Sequence, residues 1–182
     1  MLMDISQPQA LLREYVSSES LRRHCKAVSA AMSAYAKKYS EDKDLWEAVG
    51  LLHDFDYEKY PDEHPFKGVE ILKGMGYSQD VLDAILGHAV YSGVARESKM
   101  AKCLFAVDEL CGFIVACALV RPERLQGLAP KSVKKRLKAK AFAAKINRDE
   151  IAQGIAELGV DEDEHIAFVI SALQGISGEL GL

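Results

Sequence analysis

Apolar residues recur every three or four positions along most of this chain, the rhythm of amphipathic helices. Leu21, Cys25, Val28, Met32 and Tyr35 follow Ser18, a residue type that caps helix starts, and His24 shares their inward face. Leu45, Val49, Leu52 and His53 repeat the pattern, with Asp54 at the segment's end and a polar loop, 56–63, broken by Pro61. A third helix opens at His64 and Pro65, carries Phe66, Val69 and Leu72, and stops at Gly74 and Gly76. Ser78 opens a fourth, with Val81, Ile85 and His88 at successive turns. Residues 103–120, CLFAVDELCGFIVACALV, approach the length of a membrane span, but Asp108 and Glu109 at their centre would be costly in lipid, so they read as a buried core helix. Ile151, Ile155 and Leu158, then Ile166, Val169, Ile170 and Leu173, read as C-terminal helices that complete the core. The expectation is an all-α helical bundle, one domain spanning residues 1–182.

Composition narrows the partners. A net charge of −4 over 182 residues supplies no global basic field for nucleic acid or an anionic membrane. Cys25, Cys103, Cys111 and Cys117 lie among apolar residues without CxxC spacing, which favours reduced core thiols and a cytoplasmic setting. Residues 1–14 lack the charged-then-apolar pattern of a secretory signal. Trp46 reads as core or helix surface rather than a stacking platform, and His165, within DEDEH, reads as a surface residue that is no ligand.

The chemistry lies in His24, His53, Asp54, His64, His88 and Asp108. Asp108 stands among Leu104, Phe105, Val107, Leu110, Phe113 and Ile114, where an uncompensated carboxylate costs several kcal/mol, about 2–7 for a polar group without a partner. An arginine partner or a place at the helix rim would compensate it, as would a metal. A lone histidine on an apolar face is more often a hydrogen-bonded core residue than a ligand. Four inward or loop-edge histidines in series with two aspartates point instead to shared ligation of one or two divalent ions, iron, manganese, nickel or zinc, with magnesium as an alternative.

The order histidine, histidine-aspartate, aspartate, with the phrases LLHDFDYE, HPFKGVEIL, ILGHAV and AKCLFAVDEL, resembles the HD-domain superfamily of metal-dependent phosphohydrolases, HDIG type. The resemblance implies an all-helical HD-domain bundle in which His24, His53, Asp54 and Asp108 converge on one metal. In the two-metal branch it implies that His64 and His88 bind a second ion and that Asp54 bridges. The phrases also look like those of the HD-GYP cyclic-dinucleotide phosphodiesterases. Ala89, however, occupies the place of their second consecutive histidine, and the glycine-tyrosine-proline motif is absent. The six-ligand order is similar to that of the diiron HD-domain oxygenases as well.

The activity expected from the resemblance is hydrolysis of a phosphate ester of a nucleotide or small phosphorylated metabolite by a metal-activated water. A diiron oxygenase and a non-catalytic nucleotide-sensing module are the alternatives. Asp56, Glu58 and Lys59, just after the dipeptide, are candidate catalytic groups beside Asp54, as proton donors to the leaving oxygen, against the blander reading of a solvated turn. Residues 131–148 concentrate basic side chains, and Lys131, Lys135 and Lys138 share a helical face that can receive an anionic substrate or simply be solvated. The expected partner is a small phosphorylated substrate; a membrane is not expected, nucleic acid is disfavoured, and the oligomeric state is left open.

Overall fold

The computed structural model describes residues 6–182; residues 1–5, part of the stretch read above for a targeting signal, lie outside the described residues. Ten α-helices and no strand form among the described residues. They are α1 (Ser6–Tyr15), α2 (Glu19–Tyr39), α3 (Lys43–Leu52), α4 (Phe66–Gly74), α5 (Gln79–His88), α6 (Lys99–Leu119), α7 (Pro130–Leu137), α8 (Arg148–Leu158), α9 (Glu162–Gln174) and α10 (Ser177–Leu180). No helix among the described residues is long and apolar enough to cross a membrane.

Local chemistry sets the helix starts. The Ser18 hydroxyl accepts from the Leu21 amide at 3.3 Å, Asp42 from Asp44 and Leu45, Ser98 from Ala101 and Asn147 from Asp149 and Glu150, each supplying an acceptor that the first helical turn lacks. Ser78 precedes α5 in extended conformation without a side-chain cap bond.

Helix α6 is the axis of the bundle, and α2, α5, α8 and α9 pack on it. Its Cys103, Leu104, Val107, Leu110, Phe113, Ile114 and Cys117 are all fully buried. Being covered on several sides, it reads as apolar almost all round, which explains its resemblance to a spanning segment. Ile151, Ile166, Val169 and Leu173 of the C-terminal helices belong to the same cluster of buried residues as α2, α3 and α5.

Two glycines allow the close contacts that matter for the site. A Cβ on Gly50 would lie 2.7 Å from Ser29 Cα, so α3 can press its backbone on α2 only without one. The Ser29 hydroxyl donates to the Glu47 carbonyl at 2.8 Å across this contact, which carries His53 toward His24. Gly154 likewise lets α8 meet the Ala106 backbone of α6, two residues before Asp108.

Candidate metal centre

Five segments contribute. His24 comes from the second turn of α2, His53 is the last-turn cap of α3 with Asp54 after it, His64 ends the following loop, His88 is the last residue of α5, and Asp108 lies midway along α6. His24, His53 and Asp108 form one trio and Asp54, His64 and His88 a second, with ligand atoms within 4.8 Å of one another in each. In the first, His24 Nε2 is 2.9 Å and His53 Nε2 3.3 Å from Asp108 Oδ1, and the two imidazole nitrogens are 3.2 Å apart. In the second, Asp54 Oδ1 is 3.2 Å from both His64 Nε2 and His88 Nε2. The other Asp54 oxygen turns to the first trio, 3.4 Å from His53 Nε2 and 3.8 Å from His24 Nε2.

The hydrogen bonds behind the rings decide what these distances mean. His53 Nδ1 faces the Gly50 carbonyl at 2.8 Å and His88 Nδ1 faces the Ile85 carbonyl. A carbonyl only accepts, so each Nδ1 carries the proton and each neutral ring presents an Nε2 lone pair. His64 Nδ1 does the same toward Asp56 Oδ1 at 2.7 Å. Lone pairs of the neutral rings therefore face carboxylate oxygens at 3.2–3.4 Å, acceptor against acceptor, and either a metal ion or a proton between them makes the arrangement favourable. Ligands held about 2.0–2.2 Å from one ion stand roughly 3.0–3.5 Å apart, the spacing found here. The donor set of imidazole and carboxylate without thiolate fits a divalent transition metal. The nearby Cys25 thiol, pushed up to about 12 by burial, stays protonated.

Without an ion, protons take that place. Burial disfavours the charged His53 ring, but Asp54 and Asp108 overcome it and hold the imidazole well above its ordinary value. Burial also opposes charge on His64, and Asp54 and Asp56 raise it to about 9. Burial would raise the Asp54 and Asp108 carboxyls; the histidines, His53 first, keep both well below the usual carboxylate range.

The loop after the dipeptide departs from its sequence reading. Asp56 is neither a solvated turn residue nor free to donate to a substrate. It is 1% exposed, one oxygen holds His64 and the other accepts the Gly68 amide at 2.7 Å. Glu58 turns away to the start of α2, accepting from the Ser17 amide at 2.7 Å and the Ser17 hydroxyl at 2.9 Å, and hydrogen bonding by Ser18 first and then Ser17 holds its carboxyl down to about 2. Lys59 Nζ sits 3.9 Å from the centre of the Tyr15 ring. Nor do Lys131, Lys135 and Lys138, all exposed on and beside α7, line the metal cavity. His165, read as surface, is buried.

A cavity of about 360 Å³ opens over both trios, and its other walls include Tyr57, Tyr91, Glu109, Lys145 and Glu150. Lys145 belongs to the basic stretch but lies beyond the helical face that periodicity singled out. Glu109 and Glu150 each commit one oxygen to Asn147, at 2.9 and 2.8 Å, and burial raises both carboxyls above their ordinary range. Tyr91 donates to the His64 carbonyl at 2.8 Å. Arg96, outside the cavity, donates to the Gly87 carbonyl beside His88 at 2.8 Å and grips Glu157 of α8 at 2.6 and 2.7 Å. None of these has a periodic or motif signal in one sequence.

The family model of the HD domain matches residues 21–112, a stretch that begins in α2, ends in α6 and contains all six candidate ligands. No solved structure matches the chain. The match covers half of the chain, and with the helical architecture it shows that this protein belongs to the HD domain family.

Proposed function

We propose that the protein is a metal-dependent phosphohydrolase that cleaves a phosphate ester of a nucleotide or small phosphorylated metabolite. One observation carries the reading: Asp54 directs one oxygen to each of two ligand trios, so a single carboxylate is placed to join two ions. Bound there, two divalent ions would supply Lewis acidity and a nucleophilic water at neutral pH.

The chain's own groups then divide the work. His24, His53, Asp108, His64 and His88 fix the geometry, while carbonyls and Asp56 hold three of the rings in one tautomer. Lys145 is the cation on the cavity wall and takes a phosphoryl oxygen. Glu109 and Glu150, each with one oxygen left after Asn147 is satisfied, replace Asp56, Glu58 and Lys59 as donors of the leaving group's proton. The four cysteines, free and buried, support a reducing, cytoplasmic setting, and the shared buried cluster supports one unit over residues 1–182.

The test is metal content per chain on protein purified anaerobically without chelator, for wild type and His64→Ala, followed by a phosphatase panel with Asp54→Ala. Two ions falling to one in His64→Ala, and turnover falling to background in Asp54→Ala, support the reading. Iron with oxygen consumption and no phosphate release would replace it with an HD oxygenase. Nucleotide-induced stabilisation without metal or turnover would replace it with a sensing module.

A further inference from the structure

A cavity larger than the one over the metal site lies elsewhere on the molecule. A trough of about 950 Å³ runs along the opposite side of α2, from Glu19 to Lys38, between α1 and α3 on one side and α9 and α10 on the other. At 1.5 Å per residue this is about 28 Å of helix. That length would seat about five turns of a helix laid along the trough.

Its lining is divided. Ser29, Ala30, Ser33 and Ala34 form the floor, small side chains that let another backbone approach closely, and Leu12, Leu51, Phe168 and Ile176 add apolar walls. Six cations line the same trough, Arg13, Arg22, Arg23, Lys26, Lys37 and Lys38, in a chain whose net charge is −4. The three carboxylates there are engaged: Glu19 with Arg22 and Glu179 with Lys26, each at 3.5 Å, and Glu47 with Lys43 at 2.9 Å. Arg13, Arg23, Lys37 and Lys38 are exposed, and none has a carboxylate partner among the described residues.

We propose that this trough is a docking site for an acidic amphipathic helix of another protein, its small apolar face on Ala30 and Ala34 and its carboxylates against Arg23 and Lys37. A floor of small side chains with apolar walls, lying between cationic ends, fits the two faces of such a helix. A nucleic-acid strand draws its affinity from cations and a series of stacking rings, and the trough offers one aromatic ring, Phe168, which Lys38 covers at 5.1 Å. A second copy of this chain is the weaker candidate, because the acidic first turn of α9 is already taken by Lys134, at 3.1 Å from Glu162 and 2.9 Å from Asp163.

The experiment uses a fluorescent helical peptide of about 18 residues, the length of the trough, with glutamates on one face and alanine and leucine on the other. A peptide of the same composition in scrambled order and a short single-stranded RNA are the comparisons, by fluorescence anisotropy on the full chain. The amphipathic peptide is expected to bind, to weaken roughly tenfold in the double variant Arg23→Glu, Lys37→Glu, and to be lost in Ala34→Leu, with metal content and melting temperature of each variant unchanged. Absence of binding, equal binding of the scrambled peptide, or tighter binding of the RNA would overturn the proposal. So would a wild-type dimer in sedimentation that Ala34→Leu dissociates, since that assigns the trough to a second copy.

Discussion

His64 and Asp56 meet at 2.7 Å through Nδ1 and Oδ1, and Asp56 in turn is clamped by the Gly68 amide at 2.7 Å. The pair fixes His64 as the tautomer whose Nε2 lone pair points at Asp54. Asp56→Ala is therefore expected to weaken the second ion about 10–100-fold while leaving the first nearly unchanged. Gly68→Ala should do the same, because its Cβ would stand 2.7 Å from Asp56 Cγ. Titration calorimetry with manganese, read as two separate binding events, checks this; equal weakening of both ions would return Asp56 to a general structural role.

The metal-free protein carries a proton-dependent stability. Burial opposes charge on His64, yet Asp54 and Asp56 raise it from 6.5 to about 9. A raised folded value means that the folded state holds the proton more tightly, so this contribution is complete below pH 6.5 and disappears as pH rises through about 9. The melting temperature of chelator-treated protein is expected to fall across that window, and His64→Ala should flatten the fall. Metal binding must displace the same protons, so affinity should rise over the window with proton release measurable in buffers of different ionisation enthalpy. A metal-free melting temperature that climbs from pH 6.5 to 9 would contradict the ionic pairing.

Much of the centre was legible because its groups sit on the inward faces of periodic helices. His24 falls between Leu21 and Val28, and His88 one turn after Ile85, so the rhythm that builds the core also aims the ligands. The loop was not legible. Asp56, Glu58 and Lys59 lie within four residues yet go to His64, to Ser17 and to Tyr15, three destinations set by partners that no local pattern names. Glu150 escaped for the same reason: it reaches the cavity because Gly154 lets α8 lie on α6, and Lys145 lies in the turns just before that helix.

Arg96 ties α8 to the second trio. Its guanidinium lies 3.7 Å over the Phe105 ring, grips both Glu157 oxygens and donates to the Gly87 carbonyl next to His88. Glu157→Gln keeps the shape but removes one charge from a pair whose arginine side chain is only 9% exposed. A loss of about 1–3 kcal/mol in unfolding free energy is expected, with weaker retention of the second ion than of the first. Denaturant melts and metal analysis after dialysis test the two parts separately. Loss of stability with both ions retained equally would show that α8 does not position His88.

His165 shows a signal that was present and outweighed. The run DEDEH suggests a surface, but His165, Val169 and Leu173 lie on successive turns of one face, and the acidic residues before the histidine occupy the first turn of α9, where negative charge suits a helix start. Its Nε2 faces the Ala106 carbonyl at 3.0 Å and must donate; its Nδ1 therefore accepts from the Tyr35 hydroxyl at 2.6 Å, joining α2, α6 and α9. Burial lowers the ring's pKa below 6.5, so the folded state refuses a proton that the unfolded chain accepts. Its contribution is complete above pH 6.5 and declines as pH falls below that value, opposite in direction to the His64 effect. Tyr35→Phe strands the buried Nδ1 without a donor and should cost about 1–3 kcal/mol at pH 8. Because a proton on the stranded, buried Nδ1 would find no acceptor there, the variant's deficit should not shrink toward pH 5.5, measured by denaturant melts at both values; a deficit that shrinks on acidification would mean that solvent reaches and protonates the ring.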